Sequence, residues 1–383
     1  MTIEATTIPT RQDVRALLQK FSDIAVSSDE PSAPATIRHI WEEAASLGLL
    51  AAADAVGPEW RRHSLVIAEE MGSLWLLDLP LWLASDILPT VLRAHGTPRQ
   101  QELLPGLARG ETVISAALTE TGNASAFTGL ASTARAVDGG YVIDADKRYI
   151  SNSSLNDYFV ISASVSEDRQ TTGLFVVPRS TPGIEVTPTS MGHGLELLGT
   201  GSVRFTDVRV PADSLLGGVA NAPLQLQSAM AMEWFFLALM SNAAAWSAVA
   251  GLYERANAER PTGPLLSHSS VQQEFAHVVA RLHSVTALVK SLAAGYVETG
   301  VVPADLGAVS KVETSVVLNA VLDLESGLRG AADLVATPKP SRDHLDSRRR
   351  AAMAQVLAGG ANYALNGLTL AGLAARVGKD QIV

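Results

Sequence analysis

Between residues 214 and 253 the only charged residue is Glu233. A segment this poor in charge cannot lie along a wetted surface. It has to be surrounded, either by lipid or by other parts of a large core. The apolar run after the glutamate, 234–252, is interrupted by Ser241, Asn242 and Ser247. A spanning helix needs about 20 mainly apolar residues, so length alone leaves the membrane open. The flanking sequence is ordinary and amphipathic, without the Lys/Arg asymmetry of a membrane segment. The segment therefore reads as the buried helix of a helical bundle, with no membrane span expected. The rest of the chain is long enough to wrap it. Its 383 residues suit two or three domains, and 47% apolar against 18% charged residues allow a large core.

The pattern changes twice along the chain. From about Arg11 to Gly110 apolar residues recur at helical spacing, as in Ile37, Ile40, Trp41, Ala44 and Ala45, and again in Leu65, Ala68 and Met71. Pro89, Pro98 and Pro105 punctuate further short helices. From about Ala116 short β-rich runs take over. Asp138-Gly139-Gly140 before Tyr141-Val142-Ile143 is a hairpin signal, because glycine accepts the positive φ of tight turns. Residues 157–161, 173–177 and 202–205 read as strands. Helices resume after Gly218, with Thr337-Pro338-Lys339-Pro340-Ser341 as a linker between two of them. The pairs Gly192/Gly194 and Gly199/Gly201 lack the strand-then-helix setting of a dinucleotide fingerprint and read as turns, with His193 a loop residue.

Composition excludes several classes. A net charge of −10 argues against nucleic acid. The chain has no cysteine, hence no disulfide, no Cys-type metal site and no thiol nucleophile; no metal site is expected. Met1-Thr2-Ile3-Glu4-Ala5 lacks a basic segment followed by an apolar one, so a cytoplasmic location is expected.

Four segments carry the functional signal. They are Leu118-Thr119-Glu120 with Gly122 and Ser125, Tyr149-Ile150-Ser151-Asn152, Met191-Gly192, and Phe205-Thr206-Asp207-Val208-Arg209-Val210-Pro211. Taken singly, the first could be a plain strand-to-loop turn and the second a strand with an aromatic facing the core. Their order and spacing resemble the acyl-CoA dehydrogenase family, with its Thr-Glu-Pro-Gly-x-Gly-Ser-Asp loop, Trp-Ile-Thr-Asn segment and closing Asp-Val-Arg-Val-Pro. The resemblance runs over nearly the whole chain. It implies an α+β fold: an N-terminal helical domain (1–115), a middle β-barrel-like domain (116–218) and a C-terminal four-helix bundle (219–383). It also implies an FAD cofactor. Leu118 and Thr119 would lie at the flavin ring and Ser125 at the pyrophosphate, with Tyr149 and Ser151 in place of the family's Trp and Thr beside the ring. Hydroxyls and exposed amides suit a phosphate or a ring carbonyl. The loop departs from the pattern at Thr121, Ala124 and Ala126.

Arg260, in Glu259-Arg260-Pro261-Thr262-Gly263, matches the arginine that reaches the FAD pyrophosphate of a neighbouring subunit, a task that suits a guanidinium. The Phe of that motif is missing. The family's following His-Gln is His268-Ser269, and its Gly-rich segment is reduced to Gly330-Ala331-Ala332-Asp333. A homodimer or homotetramer is implied.

The family's reaction is α,β-dehydrogenation of an acyl thioester, in which a carboxylate removes the α-proton and the β-hydrogen leaves as hydride. Most members carry that glutamate in a C-terminal segment whose matching position here is Ala358, which cannot accept a proton. A minority, including the isovaleryl and long-chain enzymes, carry it on the first long helix after the β domain, where this chain has Glu233. The local sequence supports Glu233 independently. Its neighbours at three, four and seven are Leu226, Ala229, Met230, Phe236, Leu237 and Met240. Such a face would desolvate the carboxylate and raise its pKa toward neutrality. The alternative is a glutamate favouring a helix start. The Ala358 backbone N–H could still polarise the thioester carbonyl. Arg348, Arg349 and Arg350 read as a solvated helix face or a phosphate contact. The acyl carrier is CoA or a carrier protein, and the electron acceptor is open. Rival readings are a flavin monooxygenase on the same fold and a non-catalytic subunit without FAD.

Overall fold

The computed structural model describes residues 9–27, 33–50, 57–79, 87–122, 129–219, 222–329 and 344–367. Ser125, the 330–333 segment and the 337–341 linker lie outside the described residues.

The N-terminal part is helical: α1 (Arg11–Ser27), α2 (Pro34–Ser46), α3 (Pro58–Ser73), α4 (Leu88–His95), α5 (Pro98–Gln101) and α6 (Leu104–Ala108). Proline stands in the first turn of α2, α3, α4, α5 and α6, where its missing N–H has no helical partner to lose. Thr97 and Gln100 form a capping box on α5. The Gln100 amide, itself buried, donates to the carbonyls of Asp213 at 2.9 Å and Ser214 at 3.1 Å. One short helix thus ties the N-terminal layer to the exit of the β domain.

The middle part is a seven-stranded sheet of β1 (Ile114–Ala117), β2 (Thr133–Val137), β3 (Gly140–Ile150), β4 (Tyr158–Ser164), β5 (Thr172–Pro178), β6 (Ile184–Pro188) and β7 (Gly201–Pro211). Its order is β1-β4-β2-β3-β7-β6, with β5 on the other edge of β4. β1 and β2 run parallel to β4, and the remaining pairs are antiparallel. The β2–β3 hairpin turns at Asp138-Gly139, with Gly139 at φ 77°. Two register shifts along β3–β7, between Ile143 and Ala145 and between Lys147 and Ile150, bend the strand and curl the sheet. Phe159, Ile161, Phe175, Val177, Val203 and Phe205 fill the inside of that curl. The intervening residues Val160, Leu174 and Val176 face the helices instead. Strands covered on both faces explain the unbroken apolar runs at 159–161 and 174–177.

The C-terminal part holds α7 (Ala222–Asn257), α8 (Ser269–Thr299), α9 (Ala304–Arg329) and α10 (Leu345–Leu357). By length and composition Leu224–Asn257 could cross a membrane, yet it is mostly buried among the protein's own helices. α3 approaches so closely that a Cβ on Gly72 would stand 2.2 Å from the Met240 carbonyl oxygen. Two of the three polar interruptions of the apolar run, Asn242 and Ser247, are ties between helices. Ser247 Oγ donates to the Ser73 carbonyl at 3.0 Å. Thr286 Oγ1 accepts from the Trp246 indole at 2.9 Å and donates to Asn242 Oδ1 at 2.8 Å.

Of the arginines of α10, Arg348 corrects the expectation of a solvated face, whereas Arg349 is half-buried and Arg350 exposed. Arg348 is buried, ion-paired to Glu325 and stacked over the Trp75 ring at 5.1 Å. Arg349 pairs with Asp323 at 2.9 Å, and Arg350 donates to the Met191 carbonyl at 2.7 Å. All three fasten α10 to its neighbours, because each finds an acceptor on an adjoining element.

Candidate functional site

The structure lays the first two motif segments side by side. Glu120 bridges Lys147 in antiparallel sense, and the Arg148 N–H donates to the Thr119 carbonyl at 2.9 Å. A buried ion pair locks them. Lys147 Nζ donates to Glu120 Oε1 at 2.8 Å, to the Leu118 carbonyl at 3.2 Å and to Ser162 Oγ at 3.3 Å. The Glu120 carboxylate also accepts from the Ala131 and Ser132 amides at 2.7 and 3.1 Å. Burial pushes the Glu120 carboxyl up; the Lys147 ammonium and the two amides outweigh it and hold it below its ordinary value. Lys147 escaped the sequence reading. Its signal was a charge on the inward row Ile143, Ala145, Lys147 of a strand, where it needs a buried partner.

This lock presents Thr119, Tyr149 and Ser151 together. Tyr149 is held at φ 57°, in the left-handed region that bulky residues avoid, and its side chain is 66% exposed. Ser151 and Thr119 are half-buried, and neither hydroxyl hydrogen-bonds within the described residues. The next residue, Asn152, is also left-handed, at φ 61°, and its buried side-chain amide has no hydrogen-bond partner among the described residues. A strained, exposed aromatic beside unengaged hydroxyls fits a flat heterocycle with polar edges, which is the chemistry of a flavin. Leu118 contributes its carbonyl to Lys147, and its side chain packs against the helical core. Arg260 stands apart, exposed on the turn after α7, where its carbonyl accepts from the Gly263 N–H at 2.9 Å. Within one subunit it makes no bond to Thr119, Tyr149 or Ser151.

Glu233 lies well inside α7, which begins at Ala222, so it is not a helix-start glutamate. Phe235, Phe236 and Tyr296 form an aromatic cluster on the adjoining face. Glu233 is half-buried among the surrounding helices. Burial pushes its pKa up to about 7, against a smaller opposing pull from Lys311. The Ala358 position converges on the same part of α7. The Trp234 indole donates to the Gly359 carbonyl at 2.6 Å, and a Cβ on Gly359 would meet Trp234 at 3.1 Å and Leu237 at 3.2 Å. Leu237 is one helical turn from Glu233 and on its face. The Ala358 N–H itself donates to the Ala354 carbonyl at 2.8 Å, closing the end of α10.

Lys311 is the second residue that sequence reasoning missed. It is 1% exposed on α9, in a row with Ala308, Ser315 and Leu318, a lysine in a core-facing stripe. Burial pulls its pKa down to about 8, opposed by Glu233.

Comparison with known proteins bears on the middle domain and on the fold. Residues 115–208 match the model of the acyl-CoA dehydrogenase middle domain. A probable acyl-CoA dehydrogenase of Bacillus subtilis is 27% identical over 190 residues, covering 49% of this chain and 32% of that protein. An L-prolyl-[peptidyl-carrier protein] dehydrogenase of Pseudomonas fluorescens is 30% identical over 201 residues, covering 49% and 51%. The matched region thus spans a third to about half of these relatives' length. The crystal structure of acyl-CoA dehydrogenase from Geobacillus kaustophilus shares the fold, with a TM-score of 0.80 at 20% identity over 95% of this chain and 98% of that one. Residues 115–208 are thus similar to an acyl-CoA dehydrogenase middle domain, and the chain as a whole shares the fold of that acyl-CoA dehydrogenase structure.

Proposed function

We propose that the chain is an FAD-dependent oxidoreductase that dehydrogenates an acyl thioester between Cα and Cβ, with Glu233 as the base. The observation that carries it is the position of Glu233, half-buried on the stretch of α7 whose Trp234 and Leu237 meet the turn that begins at Ala358, where burial pushes its carboxyl up to about 7. A base poised near the operating pH is what α-proton removal needs. Bound FAD would supply the hydride acceptor. Tyr149 offers a ring face, and the Thr119 and Ser151 hydroxyls offer hydrogen bonds to the flavin edge. The Glu120–Lys147 pair keeps their two segments in register. Glu233 takes the proton, and the apolar wall of Met230, Phe236 and Leu237 keeps water away from it. The acyl group rides on CoA or on a carrier protein; the relatives include an enzyme named for each. Arg260, exposed on the turn after α7, would serve the cofactor of a second copy in a homodimer or homotetramer.

Glu233→Gln tests the base. It keeps size and polarity, so fold and flavin binding persist, while α-proton removal should fall about a hundred- to ten-thousand-fold. The measure is anaerobic bleaching of the flavin bands by an acyl thioester. Bleaching at the normal rate removes Glu233 from the mechanism and favours an oxygenase on this fold. A protein that purifies colourless and gains no flavin band with added FAD refutes the cofactor.

A further inference from the structure

Lys311 is a buried cation with no carboxylate within ion-pair distance among the described residues. Its ammonium donates to the Val356 carbonyl at 2.9 Å, the Gly360 carbonyl at 2.8 Å and Asn362 Oδ1 at 2.9 Å. All three protons of the group go to one short stretch of chain at and beyond the end of α10. Asn362 then donates to Ser315 Oγ at 2.9 Å, a second tie from the same stretch to α9. From the other side the Trp234 indole holds the Gly359 carbonyl at 2.6 Å. Gly359 and Gly360 sit at φ 64° and 101°, conformations that glycine adopts without strain. The 356–362 turn is therefore clamped between α9 and the part of α7 that carries Glu233.

The surroundings isolate this pair of charges. Among the described residues the only charge that acts on Glu233 is Lys311, and the only one that acts on Lys311 is Glu233. α8 turns Leu292 and Tyr296 inward and leaves Lys290 and Glu298 exposed. The buried acid of α3, Glu70, is matched by Arg11 and Arg15, and Glu325 of α9 by Arg329 and Arg348. The turn itself offers Lys311 carbonyls and an amide, which are dipoles without net charge.

We propose that Lys311 is a positioning residue for the base: it fixes the 356–362 turn against α7 and sets, through space, the field in which Glu233 accepts its proton. The inference rests on the reading of Glu233 as base. A cation held by dipoles cannot be drawn into contact with the carboxylate, so it stabilises the ionised form without covering the oxygens that must meet the substrate. An arginine or a closer lysine would form a contact pair and block them.

The test follows the two groups separately in the purified full-length protein. Carboxyl-carbon NMR of glutamate-labelled protein gives the Glu233 midpoint, assigned by its loss in Glu233→Gln. Side-chain nitrogen NMR gives that of Lys311. Lys311→Met should move the Glu233 midpoint up by about one pH unit. Glu233→Gln should move the Lys311 midpoint down, because coupling is reciprocal. A lysine that served only to brace the turn would leave the Lys311 midpoint unmoved in Glu233→Gln, and that result overturns the proposal. The second arm decides alone if Lys311→Met does not fold. If the two midpoints are coupled but Glu233→Gln bleaches normally, the assignment of the base fails and the coupling stands. If bleaching needs Glu233 and the midpoints are independent, the inference about Lys311 fails by itself.

Discussion

Replacing Lys147 with Met should destabilise the middle domain most at neutral pH and less in acid. Lys147 is 0% exposed and its partner Glu120 3%. Methionine restores the bulk of the lysine stem, so the loss is that of the ammonium. Glu120 keeps its amide donors, Ala131 and Ser132, and loses the one counter-ion it has among the described residues. Breaking a buried pair from one side costs about 3–5 kcal/mol. Two surviving amide bonds place this case near the lower figure, about 3 kcal/mol, since hydrogen bonds to a charged group are each worth about 1.5–3 kcal/mol. The pH dependence follows from sign. In the native protein the Glu120 pKa is depressed, so its contribution is present above the unfolded value and lost as pH falls through the folded one. Without Lys147 burial acts with less opposition and raises that pKa. The penalty then grows as pH rises through the carboxylate range and shrinks in acid, where the carboxyl is neutral. Urea unfolding at pH 7 and near pH 4 measures both values. Adding Glu120→Gln, whose amide oxygen still accepts one backbone N–H, should recover part of the loss, giving a favourable coupling in a double-mutant cycle. A loss below about 1 kcal/mol at pH 7, set against the expected cost, or the same loss at both pH values, refutes the view that this pair holds the Thr119 segment in place.

Three further outcomes are expected. With Glu233 at about 7, α-proton removal should rise with pH and be about tenfold slower at pH 6 than on its alkaline plateau; because that pKa is raised on folding, the same group should cost stability between the unfolded carboxylate value and neutrality, and Glu233→Gln should abolish this slope in urea unfolding. Gly72→Ala drives a methyl to 2.2 Å from the Met240 carbonyl oxygen, so thermal unfolding should show a loss of about 1–3 kcal/mol or more as α3 is forced off α7. Arg260→Ala should leave the monomer fold intact and weaken FAD retention on gel filtration, and unchanged retention would show that the arginine makes no contact across subunits.

The legible parts of the fold were those in which a residue type has no second place to go. A segment whose single charge is Glu233 could only be α7, and Asp138-Gly139 could only turn. The glutamate was legible for the same reason, as a charge among Leu226, Met230 and Leu237. What stayed hidden depends on pairing across distance. Lys147 meets Glu120 across 27 positions of sequence separation, and Lys311 meets carbonyls 45 and 49 positions away. Backbone acceptors leave no mark in a sequence, so nothing near Gly360 announces that it binds an ammonium. The pairings of Arg348, Arg349 and Arg350 stayed hidden because Glu325 and Asp323 lie on α9 and the Met191 carbonyl lies between β6 and β7. Asn242 and Ser247 looked like breaks in an apolar run for the same reason.

α7 poses a problem of timing during synthesis. It precedes α8, α9 and α10, and only the N-terminal layer and the sheet exist when it leaves the ribosome. At about 5–20 residues per second, the chain that completes its cover takes several seconds to emerge. For that interval an apolar rod, long enough to be mistaken for a membrane segment, has water on the flank that α9 will later cover. A nascent chain in that state is a natural client for a holding chaperone, and a stop codon placed before α9 should yield inclusion bodies in place of a smaller folded protein.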